Sequence, residues 1–440
     1  MNVRAPWKRT LQPPDPVNKP EVTEQQKRSP RITPRDFFAY MGPTLIISLA
    51  YVDPGNFGTD IGAGAGFGYA LLFAVWMAGM FAMVLQYMSG KLGIATGNSL
   101  AQLLRGSLHS RYRVVSYWLM AELAIAATDL AEYLGTVIAL NILFGIPLLY
   151  ASIVGALDVI ILLVLLNNRF RTVEYFFMAF VSIIAIGFLY EVLKVGPNLQ
   201  QIAVGSFSPD LTGGTILLVV GIVGATVMPH VLWLHSSLAA TKTERWGVSQ
   251  KEEAPKKKML RLHLRENIVI LAIASCVNAA ILIMAAAAFY PKFSNIQEIS
   301  QAYDILKPLF GALAAIVFAV TLLASGIASS MVGTLAGQEL MTSMLSVKVN
   351  MNVRRIITRG INVFPTTICI LIGLSPLVLL VYSQVLLSLF IPLPMIPLVY
   401  YTSKKKIMGP FVNRRWFAAL ALGVAAVIIA LNVVLLYTIL

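Results

Sequence analysis

Ile46-Ile47-Ser48-Leu49-Ala50-Tyr51-Val52-Asp53-Pro54-Gly55-Asn56-Phe57 runs through the middle of an apolar stretch long enough to cross a membrane. A carboxylate at bilayer depth is costly, so Asp53 is a functional-site candidate by its position alone. Pro54 and Gly55 follow at once, and each interrupts a helix. Irregular backbone at that depth survives only where protein buries it or where it lines a cavity. The stretch therefore reads as a broken membrane helix that carries a charged group into the interior of a bundle.

Working outward, the rest of the chain has the same character. Of its 440 residues 58% are hydrophobic and 12% charged, and the mean hydropathy is +0.76. A soluble domain carries about a quarter charged residues. Spans of roughly 20 apolar residues fall at about 38–66, 68–90, 114–140, 148–166, 172–193, 214–239, 264–290, 307–333, 355–374, 377–401 and 413–438. The expected fold class is an all-α polytopic membrane protein of about eleven transmembrane helices, one domain over 36–440 behind a flexible cytoplasmic tail at 1–35. That tail is polar, basic and Pro-containing, and it lacks the apolar core of a signal peptide.

The net charge of +14 invites a nucleic-acid reading, which its distribution excludes. With the N-terminus placed in the cytoplasm, every one of the 34 basic residues except Lys194, Lys292 and Lys307 falls in a cytoplasmic segment. This positive-inside bias fixes the expected topology, with an external C-terminus. Cys276 and Cys369 lie in apolar helices and form no disulfide framework. No Asn-x-Ser/Thr acceptor occurs, in keeping with a bacterial inner membrane. The link 241–265, with Lys256-Lys257-Lys258, reads as a solvated loop that helps set topology, or as a contact for anionic lipid.

A second break occurs at Met228-Pro229-His230, in the sixth span. Interrupted spans at matching positions in two halves point to a transporter site. The first and sixth positions fit two inverted five-helix repeats, about 38–193 and 214–401, plus an extra helix at about 413–438. Between them the breaks offer a carboxylate from Asp53, an amide oxygen from Asn56, a thioether from Met228 and backbone carbonyls from Ala50 and Ala225. Oxygen donors alone suit Mg²⁺ or Ca²⁺. One sulfur shifts the preference toward Mn²⁺, Fe²⁺ and later transition ions. Packing is the competing role for Met228 in a chain with 17 methionines. His230 reads equally as a ligand, a proton group or a packed polar residue.

Asp-Pro-Gly-Asn at 53–56 and Ala-x-x-Met-Pro-His at 225–230 together resemble the Nramp (natural resistance-associated macrophage protein) divalent-metal transporters, and the resemblance covers essentially the whole chain. It implies a LeuT-like fold and symport of Mn²⁺ or Fe²⁺ with protons. It implies Asp53, Asn56, Met228 and the carbonyls of Ala50 and Ala225 as ligands, with Gln384 in the tenth span joining them in some states. Magnesium-transporting relatives lack the site methionine, so Met228 places the chain with the transition-metal branch.

The third span holds Glu122, Asp129 and Glu132. At about 100° per residue all three share one broad face. Arg354 and Arg355 open the ninth span. Such a set is either an ion-pair network pinning two helices or a proton relay. The resemblance favours the relay, with Asp129 and Glu132 facing the arginines and with His230 and Glu122 nearer the metal; Asp53 would be its first proton group. No resident cofactor is expected, and nothing demands more than a monomer. Two other classes compete: a LeuT-fold carrier of organic cations or amino acids, and an intramembrane metallohydrolase. The second is weakened because His230 and His235 do not form a His-Glu-x-x-His pattern.

Overall fold

A computed structural model of the chain describes residues 42–157, 170–212, 214–249, 252–294, 296, 298–347 and 350–439. The expected tail at 1–35 and the ends of the first and fourth spans lie outside the described residues, as do Arg169, Lys251 and Lys348. Among the described residues the chain is helical, with no strand.

The first span is broken as its sequence demands: α1 (Pro43–Ser48) and a 3₁₀ turn (Ala50–Val52) stop at Asp53, and α2 (Pro54–Phe67) starts afresh. There follow α3 (Leu72–Thr96), the short α4 (Leu100–Ser107), α5 (Arg111–Phe144), α6 (Leu148–Val154), α7 (Phe170–Val195) and α8 (Leu199–Phe207). The sixth span is split into α9 (Ile216–Val227) and α10 (Pro229–Arg245). Next come α11 (Glu253–Phe289), α12 (Ile299–Phe310), α13 (Ala312–Leu345), α14 (Met351–Leu371), α15 (Pro376–Phe390), α16 (Pro392–Thr402), α17 (Lys405–Met408) and α18 (Arg415–Ile439).

By length and hydropathy, seven described helices can cross a membrane, or eight if α7 and α8, bent by 119°, count as one span. Three expected spans are not among those counted. The first is cut at Asp53, α6 runs into undescribed residues, and α14 carries Arg354, Arg355 and Arg359.

One expectation needs correction. The segment 241–265 is no long loop: α10 extends to Arg245 and α11 begins at Glu253. The lysine run therefore sits on a helix. Lys256 is buried, donates to the Ala95 carbonyl at 2.7 Å and stacks over Phe411. A lysine stem can cover apolar surface while its head finds a polar partner, which lets the helix continue past the hydrocarbon edge.

Small residues let the broken helices seat deep in the bundle. Pro54 lies directly over Gly135 of α5, where a Cβ would collide with its ring. Gly224 of α9 closes on the backbone of α15, where a Cβ would come within 2.9 Å of the Ser388 nitrogen. Small residues at such crossings are how membrane helices gain close packing without a hydrophobic driving force.

Candidate metal centre

Both breaks arise from the same backbone chemistry. Proline has no N–H, so the carbonyl four residues earlier loses its helical donor. Ala50 stands four residues before Pro54, and Ala225 four before Pro229. The neighbouring carbonyls are already engaged, Tyr51 by Asn278 Nδ2 at 3.0 Å and Val52 by the Ser325 hydroxyl. At the second break Met228 takes φ 44°, ψ 109°. A non-glycine residue at positive φ is uncommon and worth a functional question.

Asp53 caps α2: its Oδ1 accepts from the Asn56 backbone N–H at 2.8 Å and from Asn56 Nδ2 at 2.7 Å. Asn56 Nδ2 also donates to the Ala225 carbonyl at 3.2 Å, so one amide ties the two broken helices together. On its other side Asn56 Oδ1 accepts from Thr226 Oγ1 at 3.3 Å and from Asn278 Nδ2 at 3.1 Å. Asp53, Asn56, Ala50, Ala225, Met228 and Gln384 are all buried, and Met228 packs in the cluster that holds Ala50, Tyr51 and Phe57 rather than against lipid. The Gln384 side chain lies against Gly55 inside the first break.

Asp53 Oδ2, Gln384 Oε1 and Asn278 Oδ1 are among the oxygens at this point that have no hydrogen-bond partner among the described residues. Buried polar atoms are normally satisfied, and an orphan asks for an explanation such as an ion. No group of three or more His, Cys, Asp or Glu that could hold a metal occurs among the described residues. A cation here would therefore meet one carboxylate with neutral amide, carbonyl and thioether donors.

The acids of α5 run along a groove in α13. Asp129 and Glu132 lean over Gly333, where a Cβ would come within 2.7 Å of Asp129 Oδ1 and 3.3 Å of Glu132 Oε2. Arg354 lies over Gly337 and pairs with Glu122. Arg355 and Arg359 both donate to Ser330 Oγ, at 3.2 and 2.9 Å. Asp129, Ser330, Arg355 and Arg359 line one small cavity of about 10 Å³. His230 sits beside α5, with Nδ1 3.3 Å from Thr128 Oγ1, and its Nε2 has no hydrogen-bond partner among the described residues.

The family matched over residues 44–438 is described as natural resistance-associated macrophage protein-like. The chain belongs to the Nramp family. It is 42% identical over 398 residues to the "Divalent metal cation transporter MntH" of Granulibacter bethesdensis, covering 90% of this chain and 88% of that one. With the protein of the same name from Deinococcus radiodurans it shares 40% over 408 residues, 92% of this chain and 91% of the other. A crystal structure of the Eremococcus coleocola manganese transporter superposes with a TM-score of 0.83 at 32% identity, over 96% and 90% of the two chains. Mhp1, a nucleobase-cation-symport-1 family transporter, superposes with a TM-score of 0.59 at 15% identity, over 90% and 89%. The fold of this Nramp chain is thus the LeuT-like one, with broken first and sixth helices and an additional α18.

Within this Nramp fold the structure reorders part of the expected relay. Glu122 is not near the break at Asp53, where the expectation put it. It lies ten residues before Glu132 on α5, about 15 Å along the helix, and is held by Arg354. Of the three α5 acids Glu132 is the one nearest Pro54, because Gly135 carries that contact one turn later. Sequence reading passed over Asn278, Thr226, Ser330, Arg359 and Asp60. Asp60 is fully buried, with neither oxygen hydrogen-bonded among the described residues. The cost of an acid within a span could have flagged it. Asn278 is one polar residue in an apolar helix, and only packing shows which way it faces.

Proposed function

We propose that this chain is a secondary active transporter that imports divalent transition-metal ions of the Mn²⁺ and Fe²⁺ class together with protons, by alternating access. The observation that carries the reading is the orphaned Asp53 Oδ2, buried where the Asn56 amide joins both broken helices beside Met228. The names borne by the Nramp relatives support the same cargo. Asp53 would supply the charge, Met228 the soft donor, and Ala50, Ala225 and Gln384 neutral oxygens. An amide NH₂ cannot ligate a cation. Asn56 must therefore turn its side-chain amide over to present oxygen, giving up its present bonds to Asp53 and Ala225.

Metal entry displaces a proton from Asp53, and the acids of α5 conduct it away through Glu132 and Asp129 toward the arginines of α14. Rocking of the broken helices then closes one vestibule and opens the other. We place the basic face of the bundle in the cytoplasm of a cell membrane, with inverted repeats over about 38–193 and 214–401. A carrier of organic cations on the same fold would need no thioether, and likeness to Mhp1 extends to fold alone. The transporter family leaves the hydrolase reading without support.

Proteoliposomes with an imposed pH gradient test this. The wild-type chain should take up Mn²⁺ faster with acid outside, and Asp53→Ala should abolish uptake. Near-normal uptake by that variant would remove Asp53 from the centre of the mechanism. Met228→Ala should keep Mn²⁺ uptake and admit Ca²⁺; unchanged rejection of Ca²⁺ would show that the sulfur is not the selective element.

A further inference from the structure

A cavity of about 610 Å³ opens between α3, α11 and the start of α18, away from the metal centre. Four of its lining residues are cations, Lys91, Lys257, Arg261 and Arg414, and no Asp or Glu lines it. Lys91 is held in place: its Nζ donates to Asn413 Oδ1 at 2.7 Å and stands over the rings of Tyr87 and Phe417 at 5.9 and 6.0 Å. Lys257 makes an exposed pair with Glu253 at 3.1 Å. The remaining wall is mostly apolar, with Met83, Val84, Leu264 and Ile268, the last two exposed; Asn267 is its amide member. Trp416 stands at the cavity 65% exposed.

The layout has a direction. On α11 the lining runs from Lys257 to Ile268, and on α3 from Lys91 back to Met83. At 1.5 Å per residue these are about 16 and 12 Å, basic at one end and apolar at the other. The apolar half of a bilayer leaflet is about 15 Å deep. Tryptophan belongs at the level of lipid headgroups.

We propose that this groove binds one anionic phospholipid, its phosphate among Lys91, Arg261 and Arg414 and an acyl chain along Leu264 and Ile268. Charge selects the occupant: a zwitterionic headgroup would add a cation to a site that has four. The chain's own N-terminal residues carry Arg4, Lys8, Arg9, Lys19, Lys27, Arg28, Arg31 and Arg35, and would be repelled. The wall of the groove is also the seam that holds the transport helices. Asn267 of α11 donates to the Met83 carbonyl of α3 at 2.9 Å, and His263 Nε2 lies 3.3 Å from the Tyr87 carbonyl. A lipid seated there would brace α3 against α11.

The test uses the full-length chain in vesicles containing bromine-labelled phosphatidylglycerol or bromine-labelled phosphatidylcholine, with Trp416→Phe subtracted to isolate the Trp416 signal. Phosphatidylglycerol should quench Trp416 at a lower mole fraction. Arg261→Gln with Arg414→Gln should erode that preference by about fivefold for each cation removed. Both arginines are exposed, and a single gel-filtration peak checks that the variant is folded. Lys257→Gln, tested alone, should cost less, since Glu253 already offsets that charge. Equal quenching by the two lipids, or a preference untouched in the double variant, overturns the proposal. Loss of the preference on adding millimolar inorganic phosphate also overturns it, since the site would then take the free anion.

Discussion

Pro54 and Pro229 each withdraw one backbone N–H, and in each helix the carbonyl left without its donor belongs to an alanine. Among the hydrogen bonds around these carbonyls Asn278 makes two, to Tyr51 O and Asn56 Oδ1. It therefore holds Asn56, one of the proposed ligands, while its own Oδ1 has no hydrogen-bond partner among the described residues. Asn278→Ala should lower Mn²⁺ affinity by about 10- to 100-fold, as loss of outer-shell partners does. Calorimetric titration of purified protein measures this, and an unchanged affinity would assign Asn278 to packing alone. Asn278 was not legible in the sequence, whereas Asp53, Asn56 and Met228 stood out because they flank the prolines. Glu122 and Glu132 share a helix face by periodicity, but only the facing helix decides which of them meets Arg354.

Helices α5 and α13 are fitted to each other by residues too small to see as chemistry. Gly333 makes room for Asp129 and Glu132, and Gly337 makes room for Arg354. Gly333→Val would drive a side chain into Asp129 Oδ1. Overpacking of this kind costs about 1–3 kcal/mol. The expected outcome is a lower melting temperature, with proton flux reduced more than Mn²⁺ binding, read from a pH-sensitive dye and from metal titration. Equal loss of both would favour a purely structural network. The extent of α11 belongs to this scale too. Periodicity marks its apolar part, whereas the basic extension from Glu253 reads as loop, because the contacts of Lys256 with the Ala95 carbonyl and Phe411 come from distant segments.

Across the whole chain, all but three of the basic residues fall in segments that the expected topology puts on one side, and that asymmetry sets the proposed orientation. Cysteines placed at two exposed positions separate the faces: Ser249 on the α10–α11 link and Ser208 after α8. In a background lacking Cys276 and Cys369, a membrane-impermeant maleimide should label Ser208→Cys in intact cells. Ser249→Cys should be labelled only after permeabilisation, and the reverse pattern would invert the topology.

Sequence alone determined that this chain crosses a membrane many times, where its first and sixth spans break, and which donors the breaks expose. These follow from local rules: hydrocarbon demands apolar helices, and proline denies a hydrogen bond wherever it stands. Tertiary structure decided that Asn56 bridges both breaks, that Asn278 and Ser325 occupy the carbonyls beside Ala50, and that Ser330 gathers Arg355 with Arg359. Those outcomes depend on how helices rotate and approach one another, and a lone polar residue in an apolar run carries no sign of its facing until its neighbours are in place.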